Sequence, residues 1–186
     1  WMKFNAGSGG DNIFNRPTAW DITAVFALNG IVCITNGANS AESTLVLNYV
    51  NDSARLYPIS GYPAYGGDYT LGISGRSNSS GSFTTISQNI VGDETFDVAM
   101  TVLPNAPIDA STELPVPTIA VGTGHGVSVI KDDGTISNLT PGGGVDMNSV
   151  SFDENNNLVM GRNNFILYRS DHSHYLSNQV DNGYTV

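Results

Sequence analysis

DVAMTVL (residues 97–103), TIAVG (118–122), GVSVIK (126–131) and TISNL (135–139) decide how this chain is read. Each run is short and rich in β-branched or other apolar residues. Tight breakers, Thr123-Gly124-His125 and Asp132-Asp133-Gly134, separate the last three. Glycine and Asp-Gly between such runs mark antiparallel hairpins, because their turn residues adopt φ > 0 without steric cost. Segment 97–139 therefore predicts four antiparallel strands in chain order.

The same pattern recurs on both sides. Upstream lie runs at 22–28 and 31–35 joined by Asn29-Gly30, a polar loop over 36–43, and runs at 45–50 and 54–59 joined by Asn51-Asp52-Ser53. Pro58 suits an outer edge strand, where a missing N–H costs little. Downstream, runs at 150–152, 158–162 and 165–169 are separated by the turns 153–157 and Asn163-Asn164, with a fourth strand expected near or beyond Tyr175. Four strands in roughly 40–50 residues is the sequence form of a propeller blade, and blades bury their faces by stacking on neighbours. The expected fold is all-β and β-propeller-like: about three four-stranded antiparallel blades, a partial propeller. No segment keeps a 3.6-residue apolar period, so little or no helix is expected.

In this reading residues 1–21 are an irregular lead-in and 22–186 a single domain, with units at 22–59, 97–139 and 147–186. The Gly/Ser/Tyr-rich stretch 60–96 reads as an insertion or one degenerate hairpin, with possible strands at 69–73 and 83–86. The runs AVFAL (24–28) and VAMTVL (98–103) are apolar at nearly every position, which predicts cover on both faces. Ala24, Ala27, Ala99 and Gly122 suit close approach of sheets. Three blades are fewer than the four or more that close a ring. The chain is thus expected to be part of a larger propeller, or to associate as a homo-oligomer that covers its open blade faces. Trp1 and Val186 read as cut ends, so a missing targeting segment says nothing about localisation.

Composition narrows the function. Charged residues are 13% of the chain and the net charge is −10, with only 7 Lys+Arg. Nothing here neutralises a phosphate backbone, so nucleic acid is not an expected partner. No run of about 18 apolar residues occurs, so no membrane insertion is expected. Cys33 is the one cysteine, which excludes an intrachain disulfide, and its apolar run IVCIT reads as core.

Candidate chemistry is sparse. Residues 130–135 and 151–155 partly match the Asp-box hairpin of sialidase-like propellers, a structural turn in which an Asp side chain caps backbone amides. Neither copy has the terminal Trp, and the five arginines are not grouped. Asp153, Asn155 and Asn157 alternate as in a calcium loop, but the glycine and the distal Glu are missing, so a turn is expected. His172 and His174 lack the further ligands zinc requires, with His125 the only other histidine. No metal, cofactor or catalytic residue is expected. The candidate binding surface is aromatic: Tyr57, Tyr62, Tyr65 and Tyr69, interleaved with glycines, offer flat apolar faces with a hydroxyl handle for sugar rings or protein partners.

The stretches LPVPTIAVGTGHGVSVIKDDGTISNL (114–139) and SVSFDENNNLVMGRNNFILYR (149–169) resemble blades of the WD40-like propeller superfamily found in bacterial and phage proteins. They look most like propeller-type structural proteins of marine bacteriophages. Gly124-His125 and Trp20-Asp21 lack the spacing of a true WD40 signature. The resemblance implies a non-enzymatic structural or receptor/glycan-contact module of a phage virion, located on the virion or outside the cell. Its partners would be other virion proteins or a host-surface glycan. The alternatives are a sialidase-like glycan-processing propeller and an intracellular protein–protein scaffold.

Overall fold

Short turns with left-handed residues organise three antiparallel sheets. The computed structural model describes residues 21–37, 42–59, 66–69, 73, 83–140, 144–162, 166–171, 173 and 175. The first sheet holds β1 (Ile22–Leu28), β2 (Ile31–Asn36), β3 (Glu42–Asn48), β4 (Ser53–Pro58), β5 (Gly67–Tyr69) and β6 (Phe83–Thr85), in that order. The second holds β7 (Thr95–Thr101), β8 (Thr118–Thr123), β9 (Gly126–Ile130) and β10 (Ile136–Leu139); the third holds β11 (Ser149–Phe152), β12 (Leu158–Arg162) and β13 (Ile166–Ser170). Within each sheet every strand pairs with its neighbour in sequence, antiparallel throughout, and among the described residues no sheet closes on itself.

Local chemistry sets the register. Asn29 (φ 50°) and Gly30 (φ 78°) form the two-residue turn that pairs Leu28 with Ile31. Between β9 and β10, Gly134 takes φ 78° while Asp133 Oδ1 accepts bonds from the Thr135 amide (2.8 Å) and hydroxyl (2.6 Å). Between β11 and β12, Asp153 Oδ1 accepts from the amides of Asn155 and Asn157, each at 2.9 Å, and both its oxygens accept from Asn157 Nδ2. Asp153 thus builds its turn through backbone amides, as a capping Asp does.

Alternation then divides each strand between two cores. On the second sheet, Val98, Met100, Ile119, Val121 and Ile130 pack toward Ile31, Cys33 and Tyr57 of the first sheet. Their neighbours Ala99, Ala120, Val127, Val129 and Leu139 pack toward Val150, Leu158, Met160 and Tyr175 on the other side. The second sheet is therefore a filling between the first and third. A further core on the far face of the first sheet gathers Ile34, Leu45, Leu47, Ala54, Leu56, Tyr69 and Ile73.

Buried polar ties reinforce the stacking where β1, β7 and β11 lie side by side. The Thr95 hydroxyl donates to Asn36 O and accepts from Asn36 N, both at 2.9 Å, joining the first sheet to the second. Thr23 Oγ1 donates to Thr95 O at 2.8 Å. Asp97 Oδ2 accepts from Val150 N at 2.9 Å, joining the second to the third. These bonds sit where sheets meet without sharing a ladder.

The all-β character and the near absence of helix agree with the sequence reading; helical backbone is confined to Ser173 and Tyr175 among the described residues. Two expectations are corrected. The first sheet carries six strands rather than four, while the second carries the expected four. The fourth strand expected near or beyond Tyr175 falls outside the described residues, Ser173 and Tyr175 apart. Of the two readings of the 60–96 stretch, the hairpin is the one seen among the described residues: β5 and β6 pair antiparallel and extend the first sheet. There Arg55 and Asp68 face each other in register, and the guanidinium grips the carboxylate with both Nε and Nη2, the latter at 2.9 Å from Oδ2. Finally, β1 is not covered on both faces: Ile22, Val25 and Phe26 are 53%, 56% and 38% exposed. As an edge strand, β1 has β7 beside it and no described layer over its free side, whereas β7 sits between two sheets and buries Val98, Ala99 and Met100.

Candidate functional site

Three loops converge at the end of the second sheet where β7 starts and β8 and β10 finish. They are the segment 86–94, the turn Gly124-His125, and Thr140 with residues 144–148 ahead of β11. Between them lies a cleft of about 490 Å³, lined by Ile59, Val91, Gly92, Asp93, His125, Thr140 and Gly144. Pockets of this size with a mainly apolar lining and a few converging polar groups are the usual form of small-ligand sites.

The backbone holds these loops close. Ile90 N donates to Pro58 O (2.9 Å) and Val91 N to Ser128 Oγ (2.8 Å), which anchors one wall on two sheets. Thr123 Oγ1 donates to Gly126 O (3.0 Å) and accepts from His125 N (3.2 Å), so the turn bearing His125 is braced from beneath. Gly92 takes φ +99°, and a Cβ there would lie 2.8 Å from Thr123 Oγ1; only glycine brings this wall against the turn. His125 Nδ1 stands 3.6 Å from Asp93 Oδ1, with both side chains about half exposed. Asp146 belongs to the same neighbourhood, since a Cβ on Gly124 would lie 3.2 Å from Asp93 Oδ1 and 3.8 Å from Asp146 Oδ1. The lining offers a carboxylate, an imidazole and a hydroxyl over an apolar floor.

A second concavity runs along the first strands of the sheets, lined by residues 24–26, 97–101 and 150–152, again about 490 Å³. Its ionisable group is Asp97, whose Oδ1 accepts from Val98 N and Oδ2 from Val150 N, each at 2.9 Å. Both carboxylate oxygens accept backbone amides, and the rest of the lining mixes apolar side chains with Thr101 and Ser151.

The aromatic surface expected from the sequence is corrected in part. Tyr57 is 2% exposed and Tyr69 is 4% exposed, on opposite faces of the first sheet. Tyr57 OH donates to Gly134 O (3.2 Å) and its ring lies under the Arg55 guanidinium, 5.9 Å from the centroid. Burial pushes its hydroxyl above the usual phenol range, with Arg55 acting the other way. These two rings are core, because alternation along β4 and β5 turns them inward. Tyr62 and Tyr65 lie outside the described residues, as do His172 and His174. Cys33 is fully buried, and desolvation drives its thiol well above the ordinary range.

The cleft residues escaped the sequence reading. Asp93 sits in a stretch without clear periodicity, and Gly124-His125 reads as an ordinary hairpin breaker. The available signal was the clustering of Gly-Asp and Gly-His just outside strand ends, where binding residues concentrate on loops held by a rigid scaffold.

No family model matches the chain, and no curated protein matches it. Among solved structures, the computationally designed Ika8 protein is similar over 88% of this chain and 49% of its own, at 11% identity and a TM-score of 0.32. The chain thus spans about half the length of that protein, and a likeness this faint carries no argument.

Proposed function

We propose that the chain is a run of consecutive β-propeller blades acting as a non-catalytic contact module of a phage virion, against other virion proteins or a host-surface glycan. The observation that carries the reading is the stacking. Consecutive antiparallel meanders lie face to face, with β1, β7 and β11 side by side, as the innermost strands of adjacent blades do. In this reading the groove beside those strands belongs to the channel, and the exposed side of β1 meets a further blade or a second copy. Contact rather than bond chemistry is favoured because the turn and groove carboxylates are held by amides: Asp133 by Thr135, Asp153 by Asn155 and Asn157, Asp97 by Val98 and Val150. A sialidase-like reaction needs an arginine cluster facing carboxylates, and the described groove lining holds none.

A glycan array probed with the purified chain, run beside a fluorogenic-glycoside assay, tests the reading. Retention of glycan without sugar release is the expected outcome. Release of free sugar overturns it in favour of a glycan-processing enzyme. Failure to retain either glycans or virion proteins overturns the contact role.

A further inference from the structure

The cleft at the end of the second sheet goes beyond that surface role, although it rests on the glycan arm of the proposal. We propose that it is a binding site for a single uncharged sugar residue, with Asp93 and His125 as its polar contacts and Ile59 and Val91 as its apolar platform. The argument begins with the chemistry of the lining. An ionised carboxylate is acceptor-only and takes two hydroxyl donors at once, which matches a pair of neighbouring sugar hydroxyls. The imidazole beside it, 3.6 Å from Asp93 Oδ1, supplies a further donor or acceptor to a third position on the ring.

Below these groups Ile59 and Val91 form an apolar patch of the kind that covers the C–H face of a pyranose. Ile59 is held by its bridge to Ile90 and is 6% exposed, so the platform is fixed before anything binds. A preorganised site loses less on binding than one that must order its walls. At the rim, Gly92 lets one wall pack against the turn that bears His125, and Gly144 lies beside the same residue, where a Cβ would stand 3.7 Å from His125 Cδ2. At about 490 Å³ the cleft admits one ring with room for the next sugar to leave toward solvent.

Charge selects among sugars. The described lining holds Asp93 and no Lys or Arg, Asp146 is close by, and the chain carries −10 overall. Sialylated, sulfated or uronic residues meet like charge here and are disfavoured, whereas neutral hexoses are not.

The experiment is saturation-transfer NMR and glycan-array binding on the intact chain. Neutral hexose-terminated and sialylated oligosaccharides serve as probes, with Asp93→Asn, His125→Ala and, as a control at the opposite end of the second sheet, Ile108→Ser in the exposed connection between β7 and β8. Asp93 and His125 are about half exposed, so circular dichroism should report unchanged folds. The expected result is binding of neutral termini, weakened roughly ten- to hundredfold by Asp93→Asn and unaffected by Ile108→Ser. Glycan binding that survives both cleft variants overturns the cleft while leaving the glycan-contact role standing. A preference for sialylated probes overturns the charge argument and with it the site. No binding of any glycan overturns both the cleft and that role.

Discussion

Replacing Gly122 by alanine tests the stacking of the second and third sheets directly. Gly122 lies in β8, and a Cβ built there would stand 2.4 Å from Met147 O and 3.3 Å from Val150 Cγ1. Real Cβ contacts essentially never fall under 3.0 Å, so the segment leading into β11 must retreat by at least about 0.6 Å. The obstructing atom is a backbone carbonyl and cannot swing aside. Its retreat strains two bonds that hold the segment, Met147 N to Thr123 O and Val150 N to Asp97 Oδ2, both 2.9 Å. Overpacking costs about 1–3 kcal/mol, and weakening one of these bonds adds about 1 kcal/mol. Alanine restricts the unfolded chain and returns about 0.4–1 kcal/mol. The net expectation is a loss of about 2 kcal/mol, or a urea midpoint lower by about 1 M for an m value of about 2 kcal/mol per M. Gly124→Ala is the internal control, because the one tight contact of its Cβ would be the Asp93 carboxylate, at 3.2 Å, and that side chain can rotate away. It should stay within about 0.5 kcal/mol of the parent. Matching midpoints for the two variants would refute the packing of β11 against β8.

Further outcomes follow from the same contacts. Tyr57→Phe keeps the ring but removes the bond to Gly134 O, and thermal melting should fall by about 2–4 °C, matching about 1 kcal/mol. Cys33 should resist alkylation in the native protein and react once urea unfolds it. Its folded thiol ionises well above the unfolded value of about 8.5, so its contribution is whole below that pH and declines as pH rises toward the folded value. The Asp133 carboxyl, held below its usual range first by the Thr135 hydroxyl and then by the Thr135 amide, contributes stability above pH of about 3.9 that is lost as pH falls through the folded value. Asp133→Asn should flatten that acid limb of the melting profile. Asp153→Ala removes the acceptor for Asn155 N, Asn157 N and Asn157 Nδ2 and should cost about 1–2 kcal/mol, with added calcium leaving the melting temperature of the parent unchanged.

What the chain alone determined is its run of strands. Asn29-Gly30, Asn51-Asp52-Ser53, Asp132-Asp133-Gly134 and the turn after Phe152 predict reversals where the structure has them, within a residue or two. Turn chemistry is local: a left-handed residue or a capping carboxylate acts on amides within four residues. The weak run at 83–86 holds β6, and that at 69–73 meets β5 (Gly67–Tyr69) at Tyr69 alone, though nothing local says that these strands join the first sheet.

Burial and the site belong to the tertiary structure. The runs in β1 and β7 are equally apolar, yet β7 lies between two sheets and β1 keeps an open side, a difference made by neighbours far away in the chain. Tyr57 reads as a surface ring until the turn at Gly134, 77 residues on, closes over it. The cleft likewise exists only because segments around residues 59, 92, 125 and 144 arrive at one sheet end. Hydrogen bonds within a turn are written in adjacent residues. Which faces are covered, and which loops meet, depends on how whole sheets lean together, and short-range pattern carries no record of that.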